Sequence, residues 1–286
     1  MYLENRLIAM LDVLGFAGRI QTREGLQGTA ARYAELIERA KRHMFSPQAV
    51  PGSPKNPEPN FEYGQFVFDT LVLVSHPIDV KSTCRFIFAT ILLMEMFFTE
   101  RFPLRGCIGK GDFCIDEKQQ IFLSDAFKRL RVAEENQEWS GCILSEEVEE
   151  LILSSLLGYS REQALTARLP GSAPLHRVQV PLKEPPGTRQ PHWCLNWSHF
   201  LSRPTIDAGL EYMMADQAKH DNTACYLQRA SDLDDDTQAL SPKFLPATKM
   251  KTMKARSGVR VKFEDEQGNG VQPGCDWTLA AYGGDV

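Results

Sequence analysis

FEYGQFVFDTLVLV, residues 61–74, decides how this chain folds. Phe66, Phe68, Leu71 and Leu73 alternate around a tight turn at Asp69-Thr70, which reads as two strands of a hairpin. Upstream, LIAMLDVLGF (7–16) is a short apolar run ending at Gly15, a buried strand with one acid, Asp12, inside it. Between them, Leu26, Ala30, Tyr33, Leu36, Ile37 and Ala40 share one face of a helix over 23–44, and the proline-rich stretch 46–59 is a loop.

Downstream, an apolar helix is predicted over 80–101, a strand in PLRGCIGKGDF (103–113), a short strand in QQIFL (119–123) and a helix over 124–138. A strand follows at 141–144, then a helix that Ser145 can N-cap, with Glu146 and Glu147 at the positive end of its dipole. Strands are predicted at 176–183 and 192–195 and a helix over 204–230. A hairpin between the first two long helices points to an α+β fold, an antiparallel or mixed sheet with packed helices, rather than a parallel doubly wound sheet. Gly106, Gly109 and Gly111 have the wrong spacing for a dinucleotide loop. The expected division is a catalytic core at 1–158, completing strands and helix of the same domain at 159–230, and an irregular tail at 231–286.

At 286 residues and 43% hydrophobic content the chain can bury a substantial core. Its net charge of -5 and pI near 5.8 disfavour a protein that works by neutralising nucleic-acid phosphates. No run of about 18 apolar residues occurs, and Glu4, Arg6 and Asp12 interrupt the stretch a signal peptide would need. Neither nucleic-acid nor membrane binding is expected, and the expected location is cytoplasmic. Seven scattered cysteines without a C-x-x-C pair point to reduced thiols rather than zinc.

An ionised aspartate in an apolar strand is costly unless it is hydrogen-bonded, paired or metal-bound. Either Asp12 or Asp69 alone is explained as well by a structural hydrogen bond; two acids near strand ends of one sheet are better explained by a shared divalent cation. That arrangement suits attack of a ribose 3′ oxygen on the α-phosphate of a nucleoside triphosphate. Gly15, Phe16 and Ala17, directly after Asp12, can turn backbone N–H groups toward the phosphates.

D-V-L-G-F (12–16) resembles the D-x-x-G-F opening of class III nucleotide cyclases, and F-D-T-L-V (68–72) their second metal-aspartate hairpin. PLRGCIGKG (103–111) resembles their R-x-G-I-x-x-G strand, and SDAFKRLRVAEENQEWSGCILSEEV (124–148) is similar to their helix-strand-helix unit. The resemblance spans roughly Leu7 to Val148. It implies a ferredoxin-like core, a homodimer with sites at its interface, and two Mn2+ or Mg2+ ions per site held by Asp12, Val13 and Asp69. It also implies a triphosphate against Gly15, Phe16 and Ala17.

The departures from the pattern carry information. Gln65 and Ile121 occupy the base-reading positions, and neither the adenine nor the guanine code is present. The family's asparagine and arginine on the later helix fall on Lys128 and Val132, which leaves Arg129, Arg131 or Arg105 to replace the transition-state arginine and Lys128 to contact phosphate or ribose. These departures, the Ser124-to-Glu134 helix and the late Lys219, Asn222, Thr223 pattern resemble the bacterial Pycsar pyrimidine cyclases. That resemblance implies conversion of UTP to cyclic UMP, with CTP as the runner-up substrate, and a product acting on a separate effector protein in anti-phage defence. The rival reading is a catalytically inactive cyclase-like module that signals by binding.

Overall fold

β1 (Tyr2–Val13) is the strand around which the sheet is assembled. Its residues from Leu7 to Leu11 are buried, and both of its edges are paired. The computed structural model describes residues 1–21, 23–45, 58–116, 118–119, 121–162, 174–185, 187–198, 201–240, 249–255, 258–264 and 270–271. After β1 come α1 (Phe16–Arg19), α2 (Arg23–Phe45), β2 (Tyr63–Val67), β3 (Thr70–Val74), α3 (Val80–Thr99), β4 (Leu104–Asp116), β5 (Ile121–Ser124), α4 (Phe127–Glu135) and β6 (Gly141–Leu144). Then follow α5 (Glu146–Glu162), β7 (Leu175–Pro181), β8 (Arg189–Leu195), α6 (Arg203–Glu211), α7 (Gln217–Leu240), β9 (Lys249–Ala255), β10 (Gly258–Glu264) and β11 (Gly270–Val271).

The fold is α+β. An eight-stranded sheet has the order β2-β3-β1-β4-β6-β8-β7, with β5 paired to β4. Every pairing in it is antiparallel except β4 with β6. The first four strands, with α2 and α3 as crossovers and β4 returning beside β1, form the split βαβ arrangement of a ferredoxin-like core. Gly106 lets β4 close on β1: a Cβ there would collide with the Leu11 side chain and the Met10 carbonyl oxygen. That contact fixes the register in which Asp12 faces Arg105.

α3 begins with a capping box, the Ser82 N–H donating to Asp79 Oδ1 at 2.7 Å and the Asp79 N–H to Ser82 Oγ at 3.0 Å. It is apolar around most of its circumference because it packs between the sheet and other helices, with Phe86 against Phe61 and Phe97 against Phe66. Its length and mean hydropathy of 1.4 would suit a membrane span, but 72% of that window is buried here.

Three local expectations are corrected. The hairpin closes with Val67 opposite Thr70, so the turn is Phe68-Asp69 rather than Asp69-Thr70, and Phe68 leaves the alternation to stand 91% exposed. The single helix expected over 204–230 is two, α6 and α7, because Asp216 caps a new start: its Oδ1 accepts the Lys219 N–H at 3.3 Å. Within the segment expected to be irregular, α7 continues to Leu240 and β9, β10 and β11 form a short antiparallel meander.

Candidate active site

Asp12 lies one residue from the end of β1, opposite Thr70 of β3 on one side and Arg105 of β4 on the other. The Val13 N–H donates to the Asp69 carbonyl at 3.1 Å, which docks the hairpin turn against the end of β1. Phe68 adopts φ 57°, a left-handed conformation that such turns ordinarily give to glycine. The docked turn thus holds a strained residue immediately before the second acid, a pattern found where the position of a neighbour matters.

The Asp12 carboxyl is 23% exposed, accepts the Thr70 hydroxyl at 3.4 Å and lies 3.7 Å from the Arg105 guanidinium. Burial, then the charge of Asp69, pushes it from 3.8 up to about 6, and Arg105 offsets part of that rise. Arg105 is itself held at 2.5 Å by Glu134 and donates to the Gln137 carbonyl at 3.0 Å. Although the pair is intimate, burial outweighs the pull of the guanidinium and leaves the Glu134 carboxyl pushed up to about 7. The Tyr33 hydroxyl reaches the Phe68 carbonyl at 3.4 Å, and its own titration is raised by burial and by the charges of Asp69 and Asp12.

Tyr33, Glu134 and Gln137 are site residues that the sequence reading missed. In the sequence Tyr33 is one more apolar position of a helical face. Gln137 is wholly buried and donates to the Gly106 carbonyl at 2.8 Å, which ties the end of α4 to β4. A buried polar side chain in an N-Q-E-W stretch offers no sequence signal of its own.

Gly15 has φ 70° and caps α1, and no atom lies within 4 Å of a Cβ built on it, so the backbone there is open to a ligand. Phe16 turns inward onto Tyr33 at 4.9 Å, and Ala17 is exposed. Gln65 is exposed, its amide donating to the Phe66 carbonyl at 3.1 Å. Ile121 is 43% exposed but pairs with Asp116 at the other end of β4 from Arg105. A straight strand of that length spans at most about 35 Å, and Ile121 sits at the end of it remote from Asp12.

Lys128 makes no ion pair or hydrogen bond among the described residues. It lines an open cleft of about 570 Å3 with Asp125, Val132, Asn136, Gln190 and His192. Arg129 borders the same cleft but is engaged by Glu147, 2.7 Å from its Nη2, and by the Lys110 carbonyl. Arg131 pairs with Glu135 at 2.7 Å on an exposed face. The late-helix trio is structural: Lys219 pairs with Asp216, Asn222 donates to the Glu138 carbonyl at 2.9 Å, and Thr223 accepts the Ser140 N–H at 2.8 Å.

A divalent cation fits the acid pair on the chemistry of its donors. Asp12 and Asp69 are close enough for one charge to raise the titration of the other, and both offer hard oxygens. Val13 has no ligating side chain, so its backbone carbonyl is the oxygen it could add. Among the described residues no group of three or more His, Cys, Asp or Glu side chains gathers as a metal site. Two carboxylates nevertheless suit Mg2+ or Mn2+, which complete their shells with water and substrate phosphate.

No protein-family model matches the sequence, and no curated protein matches it significantly. Solved structures with a similar course include the adenylyl cyclase CyaB from P. aeruginosa, at 10% identity and a TM-score of 0.40 over 68% of this chain and 95% of that one. Another is the catalytic core of a rhodopsin-guanylyl cyclase with converted specificity in complex with ATPalphaS, at 11% identity and a TM-score of 0.41 over 68% and 97%.

Proposed function

We propose that this chain is a metal-dependent nucleotide cyclase of the class III kind. The observation that carries the reading is the acid pair: Asp12 at the end of β1 and Asp69 in the adjoining turn, docked by the Val13-to-Asp69 hydrogen bond and electrically coupled. The reaction joins O3′ to the α-phosphorus as the bond from that phosphorus to diphosphate breaks, and the hydroxyl proton leaves to solvent. Bound Mg2+ or Mn2+ supplies Lewis acidity and charge neutralisation at the phosphates. Asp12, Asp69 and the Val13 carbonyl would hold the cations, and the N–H groups of Gly15, Phe16 and Ala17 would face the polyphosphate. Arg105, anchored by Glu134, keeps Asp12 in place. Lys128, without a partner among the described residues, is available to a phosphate or ribose oxygen.

The active unit is a homodimer. Ile121 and the acids of the same chain stand at opposite ends of β4, which supports a second copy bringing the two sets together. As base readers, Gln65 would offer an uncharged donor and acceptor and Ile121 an apolar surface, a combination that suits uracil. UTP is the preferred substrate and cyclic UMP the product, with CTP second. In this reading the protein is cytoplasmic and its product acts on a separate effector protein in anti-phage defence.

The test is incubation of the purified chain with ATP, GTP, CTP and UTP in Mn2+ or Mg2+, with products resolved by mass. Cyclic UMP is expected; no cyclic product from any triphosphate would leave a binding module in place of an enzyme. Mixing an Asp12→Ala chain with a Lys128→Ala, Arg129→Ala chain should restore one site per heterodimer. No recovery would mean that each chain is self-sufficient.

A further inference from the structure

Outside the acid site, three arginines from three elements converge on one tyrosine. Arg19 ends α1, Arg32 lies on α2, Arg101 follows α3, and Tyr212 comes just after α6. Their guanidinium carbons lie 5.4, 6.0 and 4.7 Å from the Tyr212 ring centroid, and those of Arg19 and Arg32 lie 4.8 and 5.9 Å from the Phe102 ring. Arg101 also donates to the Tyr212 hydroxyl at 2.8 Å.

The other acceptors are neutral. Arg19 donates to the Arg101 carbonyl at 2.5 Å and Arg32 to the Glu100 carbonyl at 3.2 Å, while the Glu100 carboxylate pairs with Arg39. Among the described residues no acid forms an ion pair with Arg19, Arg32 or Arg101. Gathered like charges repel, and burial together with Arg32 holds the Arg19 guanidinium below its ordinary range. Cation–π contact with Tyr212 and Phe102 offsets part of that repulsion and leaves the net charge in place.

The backbone carries an independent sign. Arg101 has φ 69°, the left-handed conformation that helix ends ordinarily give to glycine or asparagine. Glycine would relieve that strain and lose only the side chain, so the side chain is what the position retains.

We infer that Arg19, Arg32, Arg101 and the Tyr212 hydroxyl form a binding site for the phosphoryl group of a small soluble molecule. Guanidinium forks approaching from three elements match a tetrahedral dianion, which accepts in several directions, better than a planar carboxylate. The site adjoins the acid-bearing turn through two rings: Phe102 packs on Tyr33 at 5.3 Å, and Tyr33 in turn reaches the Phe68 carbonyl beside Asp69. A bound phosphoryl group therefore ties α1, α2 and the end of α3 together behind the acid-bearing turn.

The test is calorimetric titration of inorganic phosphate into the full chain at constant ionic strength. EDTA is present, so that no metal can bridge phosphate to Asp12 and Asp69. Saturable binding at one site per chain is expected, unchanged in Asp12→Asn and weakened about tenfold or more in Arg32→Gln/Arg101→Gln. Arg101→Gly guards against a folding artefact: it should unfold no sooner than the wild type and still bind phosphate more weakly. Absence of saturable binding, or equal binding by the arginine variants, overturns the site whether or not the chain is a cyclase.

Discussion

Asp12→Asn tests the acid pair through stability rather than turnover. Lifting the Asp12 carboxyl from 3.8 to about 6 means that the folded chain binds this proton more tightly than the unfolded one. The associated stability is complete below about pH 3.8 and is lost as the pH climbs through about 6. At about 1.4 kcal/mol per tenfold change in proton affinity, the ionised group costs the fold about 3 kcal/mol at pH 8. The asparagine has nearly the same shape, still accepts from Thr70 and carries no charge. In EDTA at pH 8 it should therefore gain up to about 3 kcal/mol in urea unfolding, or roughly 5–10 °C in Tm. Near pH 4 the two proteins should converge, and Mn2+ should stabilise the wild type more than the variant. A variant no more stable than wild type at pH 8 would refute the reasoning, because it would mean that Arg105 and Thr70 already compensate the buried charge.

Other outcomes follow from the same geometry. Asp12→Ala and Asp69→Ala should each abolish product formation in a mass-resolved assay while eluting as folded dimers, since in the proposed mechanism each empties a cation site without touching the core. Glu134→Ala strands Arg105, whose side chain is 7% exposed, and should cost about 3 kcal/mol in denaturant unfolding. Gly106→Ala should cost about 3 kcal/mol, because the new methyl meets the β1 backbone; Gly28→Ala, in open space on α2, should gain up to about 1 kcal/mol. Gln65→Ala should lower kcat/KM for UTP more than for the other triphosphates, as read in parallel steady-state assays.

The hairpin was legible because two-residue alternation survives in residues 61–74, and the acids because each breaks an apolar run. The turn position was not, since Phe68 looks like a strand residue until the Val67-to-Thr70 pairing is known. Arg105 stood out only by resemblance, and its partner Glu134, 29 positions away, is brought to it by the α4 packing that no local pattern encodes. Residues 212–216, Tyr-Met-Met-Ala-Asp, contain neither Gly nor Pro, so periodicity ran on where Asp216 starts a new helix. Ile121 and Asp12 belong to one motif set, but only the β4 register shows that they pair with opposite ends of that strand.

The central place of β1 also governs how the chain can be made. β1 leaves the ribosome before either strand that pairs with it: Asp12 faces Thr70, 58 positions later, and its other neighbour begins only at Leu104. At about 5–20 residues per second, the apolar run from Leu7 to Leu11 waits roughly 5–20 s for both edges to be covered. Throughout that interval at least one of its edges is open and able to associate with other nascent chains. Local helices such as α2 can form early, but the acid pair acquires its geometry only after β4 has been synthesised and closed against Gly106, late in the assembly of a sheet dominated by distant contacts.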